Sequence, residues 1–571
     1  MRILRELRDG LQGVMALIRQ GGSPRKRHTG ASYQHASAFW VGFVLTTVGT
    51  VMQTPMYFMA RDMDYHIAGM AMTRGMWVGM ALVFIGLGLT TYSLFPRSRP
   101  AKPELSNISI APLDDAKVRP SHLALLTVLA FAVVIDGMKP ASFGFVVVGA
   151  EAEYGLRGPQ HPAADALPIG LYPLSGIFGT MVGSFLWGWL GDRIGRRASI
   201  LLAAMLFIGS SMCGAMPEYW MNLVCCFIMG LGAGGMIPVV FSLLAETVPR
   251  RHRGWMMLLI GSNVATAYVA VSWLASTLAA PENFGWRMLW LVGLPTGAVL
   301  IVLNHWIPES PRFLLQQGRD DEARAVMRRY GAVPVERPEE VSVGTEQHRG
   351  FGDLFARPFF GLTAGVLLLA LSVGGTQYGF QQWMPSNLER LGLSTVDASS
   401  LMRNAAIMGL PFTVPVAMAY HWWSSKKTAL VVSAFIGAAL GAFVLLGEEI
   451  TANRTLLYVF LVVPVWGIGI MNAVLAAYTA EVYPTSIRSR GSGLSAGSVK
   501  AGGVLILALA VVAFAAPSIR MTAAVGAVPM LLAVVVLALF GPETRHRRLE
   551  QITAGGAPGP VPAPAKTPAA D

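Results

Sequence analysis

The sequence predicts an all-α protein that crosses a membrane many times. Of its 571 residues, 53% are hydrophobic and only 13% are charged, whereas a soluble chain carries about a quarter charged residues. The mean hydropathy is +0.52, and apolar stretches of the ~20 residues that a spanning helix needs recur along the chain. Lipid-facing surface explains this composition, so we expect the bilayer to be the protein's environment.

The basic residues predict how the chain is oriented. The formal net charge is +12, but the lysines and arginines occur in short clusters between apolar runs, which is typical of the positive-inside rule. A nucleic-acid-binding face would group them on one soluble surface, so we expect no nucleic-acid partner. The pattern places both termini in the cytoplasm, and we expect a bacterial inner (plasma) membrane location.

Residues 1–120 form an accessory region. Apolar residues among the first 20 positions recur at helical spacing with arginines opposite them, which predicts a helix in the membrane interface; the alternative is a loosely ordered basic tail. Two predicted spans, 38–60 and 73–94, then form a transmembrane hairpin, which is followed by a basic linker.

The rest of the chain divides into two sets of six predicted spans. Residues 121–307 contain the first half, and residues 308–357 form a polar cytoplasmic loop with a soluble helix at 318–330. Residues 358–552 contain the second half and its cytoplasmic end, and residues 553–571, rich in Ala, Pro and Gly, form a disordered tail. The spans are predicted at 122–150, 169–190, 198–215, 220–248, 255–279 and 287–307, and at 359–388, 401–423, 428–446, 456–483, 491–516 and 521–540.

Two motifs mark the cytoplasmic side of these halves. The pattern E-x-x-P-x-x-x-R runs from Glu246 to Arg253 and recurs from Glu481 to Arg488, which indicates a duplicated, pseudo-symmetric core. The stretch G-W-L-G-D-R-I-G-R-R cannot lie in hydrocarbon, because each charge would cost a few kcal/mol there. It must be a tight turn on one membrane face, with the notable residues Gly188, Asp192, Arg193, Gly195, Arg196 and Arg197.

This turn resembles the signature between the second and third helices of the major facilitator superfamily. The sequence P-E-S-P-R-F-L-L from residue 308 resembles the motif after helix six of its sugar-porter branch, and P-E-T-R from residue 542 resembles the motif after helix twelve. The resemblance covers residues 121–552 and implies a major-facilitator-type 6+6 helix core that works by alternating access. The accessory hairpin and the tail lie outside it.

The motifs predict a cytoplasmic gate held by charge. We expect Asp192 to meet the positive end of the next helix and the arginines of the turn to pair with Glu246, Glu481 or Glu543. Such bridges would form in one access state and break in the other. For Arg197 alone, the alternative is that it only enforces topology. The remaining predicted gate residues are Arg253, Glu309, Arg312 and Arg488.

Other segments point away from a typical sugar porter. The sequence I-D-G-M-K-P at 135–140 resembles the first helix of bacterial aromatic-acid and organic-metabolite proton symporters, and Y-G-F with W-M-P, from Tyr378 to Pro385, resembles their seventh helix. Many relatives carry an arginine where Cys226 stands. The fifth span lacks the Gly-Pro signature of family antiporters, which favours uptake over drug export.

Three charged residues are predicted at membrane depth, where charge is costly and therefore functional by default. Lys139 follows Asp136 by one turn on the same face, so an i,i+3 pair that neutralises itself is one alternative, whereas Lys500 has no local partner. Two cations against one carboxylate favour a carboxylate substrate, with Asp136 as the proton carrier. A discontinuous, Gly- and Pro-flanked span adds candidate substrate-binding groups: Tyr378, Gln381, Gln382, Trp383 and Asn387.

These observations predict a secondary active transporter for proton-coupled uptake of a small organic solute, with an organic acid favoured. The alternatives are a sugar or polyol porter, a facilitator or exporter, and a non-transporting membrane sensor. The chain shows no nucleotide-binding loop and no nucleophile with a plausible base, and its cysteines, Cys213, Cys225 and Cys226, lack metal-ligand spacing. We therefore expect no enzyme activity, no metal and no cofactor, and a monomer.

Overall fold

The computed structural model describes residues 36–95, 108–109, 113–158, 161, 165–280, 283–336, 351–357, 359–483, 485–512 and 518–543. The predicted interfacial segment at 1–20 and the predicted tail at 553–571 lie outside these ranges. Within them, 13 helices are long and apolar enough to cross a membrane. The all-α prediction is confirmed.

The accessory hairpin consists of α1 (Ala36–Val51), the short α2 (Thr54–Met59) and α3 (Arg74–Leu94). Glycines spaced seven residues apart on α1 and α3 let the two backbones touch. A Cβ added at Gly42 would lie 2.7 Å from the carbonyl oxygen of Gly86, and one at Gly49 would lie 2.5 Å from that of Gly79. Small residues of this kind allow close helix packing in membranes.

The amino-terminal half contains six spans. The predicted second span forms α5, which is not one of the 13 helices counted above. Its 24 residues make it ~36 Å long, which is enough to cross a bilayer. The sixth span is divided into two short helices separated by one residue. The helices are α4 (Pro120–Tyr154), α5 (Leu171–Ile194), α6 (Arg196–Ser210), α7 (Tyr219–Thr247), α8 (Arg250–Ser276), α9 (Met288–Leu291) and α10 (Gly293–Val302).

The connection between the two halves contains α11 (Pro311–Gln316) and α12 (Asp320–Arg329), followed by the two-residue strand β2 (Val335–Glu336). This strand pairs antiparallel with β1 (Ile108–Ser109) of the linker that follows the hairpin. The soluble helix predicted at 318–330 corresponds to α12, whose first turn is acidic and whose last turn is basic, as the helix dipole favours.

The carboxy-terminal half repeats the six-span plan. Its first span joins α13 and α14 through a π-helical segment, Thr376–Gln381, and its second span ends in another, Ala419–Trp423. The helices are α13 (Phe360–Gly375), α14 (Gln382–Arg390), α15 (Thr395–Gly409), α16 (Thr413–Met418), α17 (Ser425–Leu445), α18 (Gly447–Ala452), α19 (Arg454–Val482), α20 (Thr485–Val512) and α21 (Ile519–Phe540).

The duplication inferred from the repeated motif extends to helix boundaries. Helices α7 and α19 have 29 residues each and begin 235 residues apart. Helices α8 and α20 also begin 235 residues apart. The two halves meet along close backbone contacts; a Cβ at Gly144 of α4 would lie 2.9 Å from the carbonyl oxygen of Gln382 on α14. The structure therefore has a hairpin and two matched six-helix halves.

Candidate functional site

A small cavity lies between the two halves. The two halves line it unequally. The carboxy-terminal half contributes Gln377, Tyr378, Gln381, Gln382, Val465, Ile468 and Gly469, and the amino-terminal half contributes Gly137, Pro140, Ala141, Val264, Ala265 and Tyr268. Four of the five large polar lining side chains thus come from the carboxy-terminal half, and Tyr268 is the fifth.

The polar lining is placed by the π-helical segment that joins α13 to α14. The sequence analysis predicted a discontinuous span here. The structure instead keeps the helix continuous and widens one turn at Thr376–Gln381, as is frequent at functional sites. Asn472 donates to Gln377 (3.2 Å) and Gln381 donates to the carbonyl oxygen of Val465 (3.5 Å), so contacts with α19 orient two of the glutamines.

Lys500 has a partner on a neighbouring helix. Its Nζ donates to the hydroxyl of Tyr378 at 3.1 Å and lies 5.7 Å from the centre of that ring. It also interacts electrostatically with Asp136 of the amino-terminal half. Within the described chain, Asp136 Oδ1 is buried without a hydrogen-bond partner. A buried carboxyl group of the amino-terminal half and an amine of the carboxy-terminal half are thus both placed near the cavity.

Lys139 lies elsewhere, which corrects the expectation that it shares the face of Asp136 and adds charge to the same cavity. Its side chain is buried inside the amino-terminal half, close to Gly293 and Ser211. Among the described residues, its Nζ has no hydrogen-bond partner. The i,i+3 ion pair with Asp136 is not formed, because the two side chains diverge around the helix.

Several other buried polar atoms, on cavity-lining residues or on α14 just beyond them, have no hydrogen-bond partner in the described chain. They are Tyr268 Oη, Gln382 Nε2, Trp383 Nε1 and Ser386 Oγ. Buried polar groups are normally paired, so orphaned ones mark places where a ligand or water can bind. The sequence analysis named Gln382 and Trp383, together with the buried Asn387, but missed Tyr268 and Ser386. One tyrosine and one serine within apolar spans carry no distinguishing pattern.

At the cytoplasmic turn, Glu309 binds the start of α6. Its Oε1 accepts hydrogen bonds from the backbone amides of Arg196 (2.7 Å), Arg197 (3.3 Å) and Ser310 (3.0 Å). Gly195 has a φ of +98°, and a Cβ there would lie 2.5 Å from Glu309 Oε2. Glu309 therefore lies at the positive, amino-terminal end of α6. Asp192 was predicted for this role, but its side chain lies outside the described atoms.

Two arginines of the turn are held within the amino-terminal half. Arg196 Nη2 lies 3.3 Å from Glu246 Oε1, and its Nη1 donates to the carbonyl oxygen of Gly191 at 2.7 Å. Arg197 donates from Nε and Nη2 to Asn304 at 2.9 and 2.6 Å. The expected partner of the turn at Glu246 is therefore present, and Arg197 makes a specific contact.

The other predicted gate residues are distributed over the cytoplasmic ends of both halves. The Arg193 guanidinium lies 4.2 Å over the Trp189 ring rather than on a described carboxylate. Arg253 pairs with Asp114 of the linker at 2.6 Å, and Arg312 is exposed. In the carboxy-terminal half, Tyr420 donates to Glu481, and Ser424 and Ser425 donate to Glu543. Gly188 and Arg488 lie in helices, but their local surroundings are outside the described atoms.

Comparison with known proteins identifies this architecture. The family model described as "Sugar (and other) transporter" matches residues 142–555. The niacin transporter NiaP of Acinetobacter baylyi is 25% identical over 78% of this chain and 99% of its own length. The inner membrane metabolite transport protein YgcS of Escherichia coli is 28% identical over 79% of this chain and 98% of its own length.

Solved structures show the same fold. The proton:xylose symporter XylE, bound to 6-bromo-6-deoxy-D-glucose, aligns with a TM-score of 0.58 at 20% identity over 76% of this chain and 98% of its own. The inward-open form of the xylose transporter XylE from E. coli aligns with a TM-score of 0.55 at 18% identity over 76% and 99%. Both alignments support the 6+6 core of the major facilitator superfamily.

Proposed function

As a member of the sugar (and other) transporter family, the chain is a secondary transporter, and we propose that it takes up a small organic acid together with protons. The observation that carries this proposal is the cation at the interface of the halves. Lys500 donates to Tyr378, which lines the cavity, so its ammonium is within reach of a bound carboxylate. A bond between two ionised groups would then replace the bond from the ammonium to a neutral hydroxyl.

The opposing carboxylate supports proton coupling. Asp136 of the amino-terminal half is buried and its Oδ1 has no hydrogen-bond partner in the described chain, while Lys500 of the carboxy-terminal half binds a residue that lines the cavity. Protonation of Asp136 would remove the competing negative charge and leave Lys500 to the substrate carboxylate. Loading of proton and substrate would therefore favour each other, which is the requirement for symport. The relative that is named a niacin transporter supports this substrate class, since niacin is a carboxylic acid.

A sugar or polyol remains the second candidate, on the strength of a separate observation. Three glutamines, Gln377, Gln381 and Gln382, line the cavity, and amide groups both donate to and accept from hydroxyls. Two of them already bond to neighbouring protein groups, however: the oxygen of Gln377 accepts from Asn472, and the amide of Gln381 donates to Val465. Gln382 Nε2 is buried without a partner among the described residues. This favours a ligand that needs a cation and a few donors over one rich in hydroxyls.

We propose that the gate works through separate contacts in each half. The supporting contacts are Arg196–Glu246 and Glu309 on the α6 amides in the amino-terminal half, and Ser425–Glu543 in the carboxy-terminal half. Each would fix the cytoplasmic helix ends within its half. The halves could then rotate as units, with exchange of charge contacts confined to the turn residues between them.

The decisive experiment compares two buried lysines. Binding and proton-driven uptake of neutral sugars, monocarboxylates and dicarboxylates are measured with wild type, Lys500→Gln and Lys139→Gln in proteoliposomes. Loss of a charge-assisted bond costs about 1.5–3 kcal/mol, so we expect about 10- to 150-fold weaker carboxylate binding for Lys500→Gln. Lys139→Gln is the matched control, since it removes a lysine that is buried inside the amino-terminal half and does not line the cavity. Tight sugar binding that both variants retain would refute the organic-acid proposal.

A further inference from the structure

The accessory hairpin, which precedes the family match, is attached to the amino-terminal half at three levels. At the outer level, the backbone amides of Ile67 and Ala68 donate to Glu153 Oε1 at 2.7 and 3.0 Å. The amide of Gly69 donates to the carbonyl oxygen of Pro217 at 3.2 Å, and the Tyr57 hydroxyl donates to the carbonyl oxygen of Phe284. The loop between α2 and α3 is thereby fixed over the outer ends of core helices.

The carboxylate beneath this loop belongs to a buried ion pair. Glu153 and Arg287 side chains are 2% and 1% exposed, with a shortest N–O distance of 2.7 Å. Trp286 Nε1 also donates to Glu153 at 2.9 Å, and Arg287 donates to the carbonyl oxygen of Met216 at 2.9 Å and to Tyr154 Oη at 2.8 Å. The loop amides thus complete a network that joins the end of α4 to the start of α9.

Within the membrane the hairpin docks on α6. Thr50 Oγ1 donates to the carbonyl oxygen of Ile208 at 3.3 Å. A Cβ placed at Gly209 would lie 3.1 Å from Val83 Cγ1 and 3.4 Å from Leu87 Cδ1. The absence of a side chain at Gly209 lets α3 approach the core helix closely.

On the cytoplasmic side the linker is held as well. Strand β1 pairs with β2 beyond α12, and Asp114 pairs with Arg253 at the start of α8 at 2.6 Å. Arg119 Nη1 donates to the carbonyl oxygen of Arg328 near the end of α12 at 3.2 Å. The linker therefore joins the hairpin to the amino-terminal half and to the central loop.

We propose that the hairpin is a strap that binds the amino-terminal half into one rigid body and moves with it throughout the transport cycle. The strong contacts described above all lead to the amino-terminal half or the central loop. A strap of this kind leaves the interface between the halves free to rearrange. It also keeps the outer ends of α4 and α9 joined while the carboxy-terminal half moves against them.

A cross-link tests the strap directly. A Cβ at Gly209 would lie 3.1 Å from Val83 Cγ1, which is one bond away from Val83 Cβ. In Val83→Cys/Gly209→Cys the two Cβ atoms would therefore lie within the range of a disulfide. The Val83 side chain, the only contact under 3.4 Å at Gly209, is itself replaced. We expect uptake of the oxidised protein to stay within twofold of the reduced protein. Wild type under the same oxidant controls for the buried native thiols. A tenfold or greater loss on oxidation, or failure of the bridge to form, would overturn the proposal.

The matched control is a cross-link between the halves. Arg403 of α15 donates to Ser276 of α8 at 2.9 Å, so Ser276→Cys/Arg403→Cys joined by a short bis-thiosulfonate reagent should lower uptake at least tenfold. Spin labels give a second measurement that does not depend on bridge formation. The distance from exposed Met59 to exposed Trp220 of α7 should stay constant when substrate and pH are changed, and the distance from Met59 to exposed Leu445 of α17 should shift. The reverse pattern would contradict the strap.

Discussion

The substitution Glu153→Gln measures what the buried outer ion pair contributes to stability. Arg287 donates to Glu153 through Nε and Nη2, and the hairpin loop adds two amide donors. Glutamine keeps the shape and one acceptor oxygen but leaves the guanidinium uncompensated. Breaking a buried pair by removing one partner costs about 3–5 kcal/mol. Because acceptors remain, we expect the lower end, about 3 kcal/mol, which lowers the folded-to-unfolded ratio about 150-fold.

The three buried cysteines provide the assay. Cys213, Cys225 and Cys226 are free and buried, so a thiol-reactive fluorophore labels them only when the amino-terminal half unfolds. A loss of 1 kcal/mol lowers the melting temperature by about 2–4 °C for a unit of 150–250 residues, the size of one half. We therefore expect the labelling midpoint to fall by about 6–12 °C in Glu153→Gln.

Two further variants make the result interpretable. Glu322→Gln breaks the exposed Arg319–Glu322 pair, whose side chains are 33% and 43% exposed, and should change the midpoint by no more than about 1–2 °C because exposed pairs contribute little. Glu153→Gln/Arg287→Met removes both charges and should recover part of the loss. A Glu153→Gln midpoint equal to that of Glu322→Gln would refute the assignment of this pair as a stabilising network.

Three other predictions concern the gate and the hairpin. Asp192→Asn should impair conformational cycling with folding largely intact, and wild-type uptake by a well-folded variant would remove the electrostatic gate. Gly195→Ala should lower the labelling midpoint by several degrees, because alanine is strained at a φ of +98° and its Cβ would collide with Glu309; an unchanged midpoint would show that the turn relaxes. Deleting residues 1–116 should reduce membrane insertion and thermal stability more than turnover per folded molecule. Turnover is checked by dividing the uptake rate by the number of substrate-binding molecules. A folded core that binds substrate but does not transport it would contradict the prediction.

The order and number of the spans could be predicted from the sequence, because the bilayer imposes one main requirement on a spanning segment. A spanning segment must be apolar over ~20 residues, so the hairpin and the two sets of six spans could be predicted from composition along the chain. Glu246 could be proposed as a partner of the turn because both sit at cytoplasmic helix ends. These inferences needed only depth in the membrane and the order of elements.

Rotation about a helix axis was harder to predict. Asp136 and Lys139 differ by three positions, which leaves them ~60° apart around an α-helix, and neighbouring helices decide which one faces the cavity. Glu153 lies at the end of α4 and Arg287 just before the start of α9, so no spacing along the chain reveals their pairing. The position of Tyr268 in the cavity lining likewise depends on the packing of the two halves, and no pattern along the chain predicts it.

The unequal lining of the central cavity has a consequence for how such a transporter changes its cargo. Gln377, Tyr378, Gln381 and Gln382 all belong to one helical span of the carboxy-terminal half, whereas Asp136 belongs to the other half. Substitutions along a single π-helical turn can therefore alter which molecule fits, without touching the carboxylate proposed to carry the proton. Under the proposed function, much of the substrate selectivity and the proton-carrying group would be encoded by separate stretches of the gene.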